Sequence, residues 1–180
     1  MRILRWFGLS LILLLGAIVS VAWWYDRVGQ QPDPAFDTHV VLPAYPGGVG
    51  RPHPRVLIDE GHHNFHTATG RYKPFAELLR SDGYAVSSTE QRFTPQTLKQ
   101  ADVLVIANAM GPEGHEGRAS FTPEEESTAL EWVRSGGALL LIADHAPFGS
   151  AAARLAKRFG VTMHLRYARD DLFHDGYVLL

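Results

Sequence analysis

The chain contains no cysteine. That excludes disulfides, thiolate metal ligation and a cysteine nucleophile, and it is compatible with an oxidising compartment. An excess of charge of either sign is also missing: 17 Lys and Arg stand against 19 Asp and Glu, a formal net charge of -2. No basic stripe is available to neutralise phosphates, so a nucleic-acid partner is not expected. The sequence has neither a G-x-G-x-x-G fingerprint nor a Walker loop, which leaves nucleotide binding with little support. It has no G-x-S-x-G elbow, so a Ser-His-Asp hydrolase is a poor reading.

What is present begins with an apolar run from Trp6 to Tyr25, preceded by Arg2 and Arg5. A helix needs about 20 such residues to cross a bilayer's hydrocarbon core. Two readings compete. Ser20-Val21-Ala22 has the small-x-small form of a signal-peptidase site, which would release a secreted protein. Trp23, Trp24 and Tyr25 suit an interfacial belt, and the arginines suit a cytoplasmic start. The second reading is favoured. It gives an inner-membrane protein anchored through residues 6–25, with its soluble part periplasmic or otherwise extracytoplasmic.

Residues 26–54 follow as a linker rich in Pro and Gly, with Val40-Val41-Leu42 as a short edge strand at most. From Arg55 a regular α/β alternation sets in. Strands are expected at Val56–Asp59, Tyr84–Ser88, Val103–Ala107, Ala138–Ile142 and Val161–Leu165. Helices are expected from Lys73 to Asp82, briefly after Thr94-Pro95, after Thr122, and over Gly149–Phe159. Thr122-Pro123-Glu124-Glu125 has the form of a capping box. The alternation predicts a doubly wound, mostly parallel sheet in a domain over residues 55–180. Arg169–Leu180 shows no clear element, and Tyr177-Val178-Leu179-Leu180 reads as a strand cut short. A domain truncated at its C-terminal end is therefore expected.

Three stretches carry a resemblance: residues 56–86, beginning VLIDEGHHNFH; ADVLVIANA at 101–109; and FTPEEESTALEWVRSGGALLLIADHAPFGS with the small-residue helix after it, 121–161. Together they resemble the class I glutamine amidotransferase-like superfamily. Within it, the likeness is to a bacterial domain-of-unknown-function group related to gliding-motility and ABC-transport-associated proteins. The resemblance implies a flavodoxin-like sheet and brings no reaction with it. Glutaminases of that superfamily place a nucleophilic Cys in a strand-to-helix elbow. The analogous stretches here are Asn108-Ala109-Met110 or Asp144-His145-Ala146, so glutamine hydrolysis is excluded by chemistry.

Two runs place acids and histidines where a strand gives way to a loop: Asp59 to His66, and Asp144 to Gly149. Ligands in open α/β sheets bind at the carboxyl ends of strands. Asp59, His62, His63 and His66 have spacings that could hold a divalent metal such as Zn, with Asp144 or His145 completing the set. Glu60 would then be the general base and His145 an acid or base. The plainer reading has these histidines only hydrogen-bonding neighbouring carbonyls and carboxylates. A polar ligand would instead meet Asn64, Asn108, Asp144, Gly149 and Ser150, the last two at a helix N-terminus. Two functions follow. One is a tethered domain whose rim holds a small polar ligand or an envelope or transport partner. The other is a metal-dependent hydrolase of an envelope sugar, amide or ester.

Overall fold

The computed structural model describes residues 14–23, 36–47, 52–113, 115–164, 174–175 and 178–179. Two units separate, Met1–Asp33 and Pro34–Leu180. In the first, residues 14–23 are helical (α1). Among the described residues no helix is long and apolar enough to cross a membrane. The rest of the expected anchor, on either side of α1, lies outside the described residues.

The second unit holds four parallel strands: β1 (Arg55–Asp59), β2 (Ala85–Thr89), β3 (Val103–Ala107) and β4 (Ala138–Ile142). Helices α2 (Lys73–Ser81), α3 (Pro95–Leu98), α4 (Pro123–Arg134) and α5 (Phe148–Arg158) alternate with them. The strand order is β2-β1-β3-β4, and all three pairings are parallel. This mixed α/β arrangement with an all-parallel sheet fits a flavodoxin-like fold, whose order also turns back between β1 and β3.

Strand periodicity divides the core in two. Leu57, Leu104 and Ile106 point to the face that packs Leu98 of α3, Ala129 of α4 and Leu155 of α5. Val56, Ile58 and Val105 point to the other face, against Ala76, Phe75 and Leu79 of α2. The apolar character of β1 and β3 follows from burial on both faces.

Two strand expectations are corrected. Residues 40–42 form no strand, and Val41 and Leu42 stay exposed. Their segment is instead held by the end of α2: Val40 N–H donates to Ser81 Oγ, Ala44 N–H to Asp82 Oδ1 and Tyr45 N–H to the Asp82 carbonyl. Gly83, at φ +93°, lets the chain pass there, since a Cβ would collide with the Tyr45 carbonyl. Residues 161–164 form no fifth strand either; Leu165 lies outside the described residues. The turn at Gly160 sends this segment back towards Gly149, which lies against the His164 carbonyl. In the tail, β6 (Val178–Leu179) falls within the stretch expected as a strand cut short, and it pairs antiparallel with β5 (His174–Asp175), where no element was expected.

Candidate functional site

The carboxyl ends of β1, β3 and β4 lie side by side, and both polar runs sit on that lip. Asn108, the residue after β3, joins them. Its backbone N–H donates to the Ile142 carbonyl at 2.9 Å, and its carbonyl accepts from Phe65 N–H at 3.0 Å. It is buried, with a left-handed backbone at φ +56°. Asn tolerates that conformation better than most residues, and such conformations cluster at functional sites.

The side chain of Asn108 settles the proton on its neighbours. Oδ1 accepts from Asp144 N–H at 3.2 Å, which leaves Nδ2 as the donor end. Nδ2 donates one hydrogen to Asp144 Oδ2 at 3.0 Å. The other goes to His66 Nε2 at 3.1 Å. A ring nitrogen that accepts carries no hydrogen, so His66 is the neutral tautomer with its hydrogen on Nδ1. Burial lowers its pKa; Asp144 works against that and Arg71 adds to it. Nδ1 is itself buried without a protein partner, as is Asn64 Nδ2.

Aromatic rings surround this network. His66 stacks on Tyr72 at 4.6 Å and meets Phe65 at 5.2 Å. Phe65 contacts Phe148 at 5.7 Å, and Phe148 contacts His145 at 5.3 Å. Arg71 lies 4.5 Å over the Phe65 ring. Burial, then the charge of Asp144, raises the Tyr72 pKa.

A second cluster lies beneath the lip. His62 Nδ1 is 2.9 and 3.0 Å from the two oxygens of Asp59, and its Nε2 is 3.0 Å from Glu125 Oε1. Both ring nitrogens therefore donate, and the ring is an imidazolium. Phe93 and Phe121 flank it, each at 4.6 Å. Burial pulls the His62 pKa down, but the hydrogen bonds and charges of Asp59 and Glu125 outweigh it and the net shift is upward. Glu125 also accepts from Phe93 N–H at 3.2 Å and Thr122 N–H at 2.9 Å. Burial opposes its ionisation, yet these bonds and His62 hold its pKa below the ordinary value. Arg92 approaches the same carboxylate at 3.7 Å.

The expected metal set does not come together. His62 turns inward, with both nitrogens committed to carboxylates and none free to ligate. His66 gives Nε2 to Asn108, and His63 is exposed at φ +55°. Among the described residues, no group of three or more His, Asp or Glu is placed to hold a metal ion. Glu60 braces its own loop, accepting from Ala68 N–H at 2.8 Å. His145 Nδ1 is 2.6 Å from the Ala146 carbonyl, and its Nε2 lies 3.8 Å from Asp144 Oδ1. Gly149 is buried, with its N–H and that of Phe148 directed at the His145 carbonyl. Ser150 Oγ turns back to the Pro147 carbonyl at 2.7 Å. The start of α5 is thus closed by its own loop. Asn64, His66, Asn108 and Asp144 remain at the lip.

In the sequence Glu125 is marked only as part of a helix cap. One signal was available: Glu125, Ala129 and Trp132 fall on one side of α4, so the carboxylate sits in line with the buried stripe. A groove of about 670 Å³ between α3 and the end of α4, lined by Lys99, Asp102, Glu131 and Trp132, lies at the amino ends of the strands, away from this lip.

No family model and no curated protein matches the chain. Among solved structures, the "mmIFT52 N-terminal domain" is similar with a TM-score of 0.49 at 17% identity. The match covers 58% of this chain, which spans 43% of that one.

Proposed function

We propose that this chain is an exported, membrane-tethered α/β domain whose lip at the carboxyl ends of β1, β3 and β4 binds a small polar ligand. The observation that carries the reading is the Asp144–Asn108–His66 network. It lies where strand order reverses, and it leaves the His66 Nδ1 hydrogen buried without a protein partner. A buried donor without an acceptor costs about 1–3 kcal/mol, which a ligand oxygen would recover. The ring of apolar aromatics around a few fixed polar atoms is the usual make-up of a small-molecule site. Export and tethering rest on the apolar run Trp6–Tyr25 and its flanking arginines and aromatics. The amidotransferase-like resemblance implies the flavodoxin-like sheet and adds no reaction. The alternative, a metal-dependent hydrolase, has less support, because both His62 nitrogens lie at hydrogen-bond distance from carboxylates.

The test uses the full chain in lipid nanodiscs, with imidazole nitrogens observed by NMR. Neutral, anionic and cationic small polar probes are titrated in turn. At least one is expected to move the His66 Nδ1 resonance in the parent and not in Asn108→Ala. If every probe leaves His66 unmoved, the lip is not a ligand site.

A further inference from the structure

The donor and acceptor pattern of the lip narrows the chemistry of what it holds, on the footing that the lip binds a ligand at all. His66 presents an N–H, because its other nitrogen is an acceptor from Asn108. Asn64 presents another: its Oδ1 accepts from His62 N–H at 3.3 Å, which makes Nδ2 the donor end, and the side chain is only 8% exposed. Both donors are buried and without a protein partner. They call for oxygen acceptors.

Asp144 calls for the opposite. Its side chain is half exposed. One oxygen accepts from Asn108 Nδ2 and the other from His145 N–H. A carboxylate has about four lone-pair sites, so each oxygen can take a further donor from outside. Beside these groups Phe65 is 41% exposed, in contact with Phe148 and with the Arg71 guanidinium 4.5 Å over its ring. The part of the ring that Arg71 leaves open is apolar surface that polar chemistry alone does not use.

Formal charge decides among ligands. An anion would satisfy the N–H groups but would confront Asp144. A cation would satisfy Asp144 but would confront the Arg71 guanidinium over Phe65 and leave the N–H donors bare. A hydroxyl both accepts and donates, and a sugar ring also has an apolar C–H face. We infer that the lip takes a neutral polyhydroxyl ligand, a saccharide. Its C–H face would meet the part of Phe65 that Arg71 leaves open, with its hydroxyls divided between the His66 and Asn64 donors and the Asp144 carboxylate.

The experiment uses the full chain in lipid nanodiscs free of sugar detergents. Glucose, N-acetylglucosamine and maltose are the neutral probes, glutarate the anionic one and ethanolammonium the cationic one. Saturation transfer to the sugar C–H protons and the His66 Nδ1 shift are read together. At least one neutral probe is expected to bind, and to bind at least tenfold more weakly to Phe65→Ala and to Asp144→Ala. Phe65 is exposed, and an unchanged His62 imidazolium resonance in that variant reports an intact fold. Sugar binding indifferent to Phe65→Ala overturns the inference. So does a charged probe that moves His66 when no sugar does, although the lip then still stands as a ligand site. Silence from all five probes removes both.

Discussion

His62 shows how one residue can be charged and structural in a place that sequence spacing suggests for a metal. Its ring lies between two phenylalanines and two carboxylates, all four buried. Its folded pKa is raised above the ordinary 6.5. The stability it supplies is therefore fully present below 6.5 and is lost as pH rises through the higher folded value. Glu125 has the opposite sign: its folded pKa is held below 4.5. Its contribution is present above 4.5 and is lost as pH falls through the lower folded value. From this pair, stability should peak between the two and decline on either side. Urea midpoints measured from about pH 5 to about pH 9 should fall on the alkaline side. His62→Ala should cost about 3–5 kcal/mol, because it strands two buried carboxylates, and should flatten the alkaline decline. A parent protein whose midpoint is level across that range would show that the ring is not an imidazolium.

At the scale of elements, the start of α4 carries more than a helix cap. Thr122 Oγ1 accepts from Glu125 N–H at 3.2 Å, and Glu125 answers by accepting from Thr122 N–H. The same carboxylate holds Phe93 N–H and His62, so one side chain ties α4 to the segment before α3 and to the loop after β1. Removing the threonine hydroxyl deletes one bond of the box and leaves the others. Thr122→Ala should therefore cost about 1 kcal/mol. Glu125→Ala removes the hub and leaves the imidazolium with one partner fewer, so about 3–5 kcal/mol is expected. Thermal unfolding of the two variants side by side checks the ratio. Equal losses would mean that Glu125 serves only as a cap.

At the scale of the whole molecule, the sheet is covered unevenly. Leu139 and Leu141 of β4 pack into the core beside α4 and α5. Leu140 points to the other face and is 41% exposed. β4 is an edge strand of this sheet among the described residues, and it is apolar throughout. Such an edge is a template for pairing with another chain, and natural edges often carry lysine to prevent it. Leu140→Lys should lower concentration-dependent self-association, as read by sedimentation, while leaving the unfolding free energy within about 0.5 kcal/mol of the parent. Association unchanged by that substitution would place the sticky surface elsewhere.

The alternation of elements was legible in the residues because period and punctuation are local. Pro74, Pro95 and Pro123 mark helix starts, Gly83 and Gly136 mark stops, and the apolar runs of β1, β3 and β4 have strand length. The meeting of the two polar runs on one lip was also legible, since both follow parallel strands and parallel strands share a carboxyl end. The roles of the histidines were not. His62, His63 and His66 are near neighbours in sequence, yet one is a buried cation, one is exposed and one is a neutral donor. The chain by itself determined the order of its strands and helices and which end of the sheet would be polar, because those depend on neighbours a few residues apart. Only the tertiary structure decided which nitrogen holds a proton and which side chains stand together at the lip. Those depend on Phe93, Asn108, Phe121, Glu125 and Asp144, brought in from far along the chain to crowd each ring.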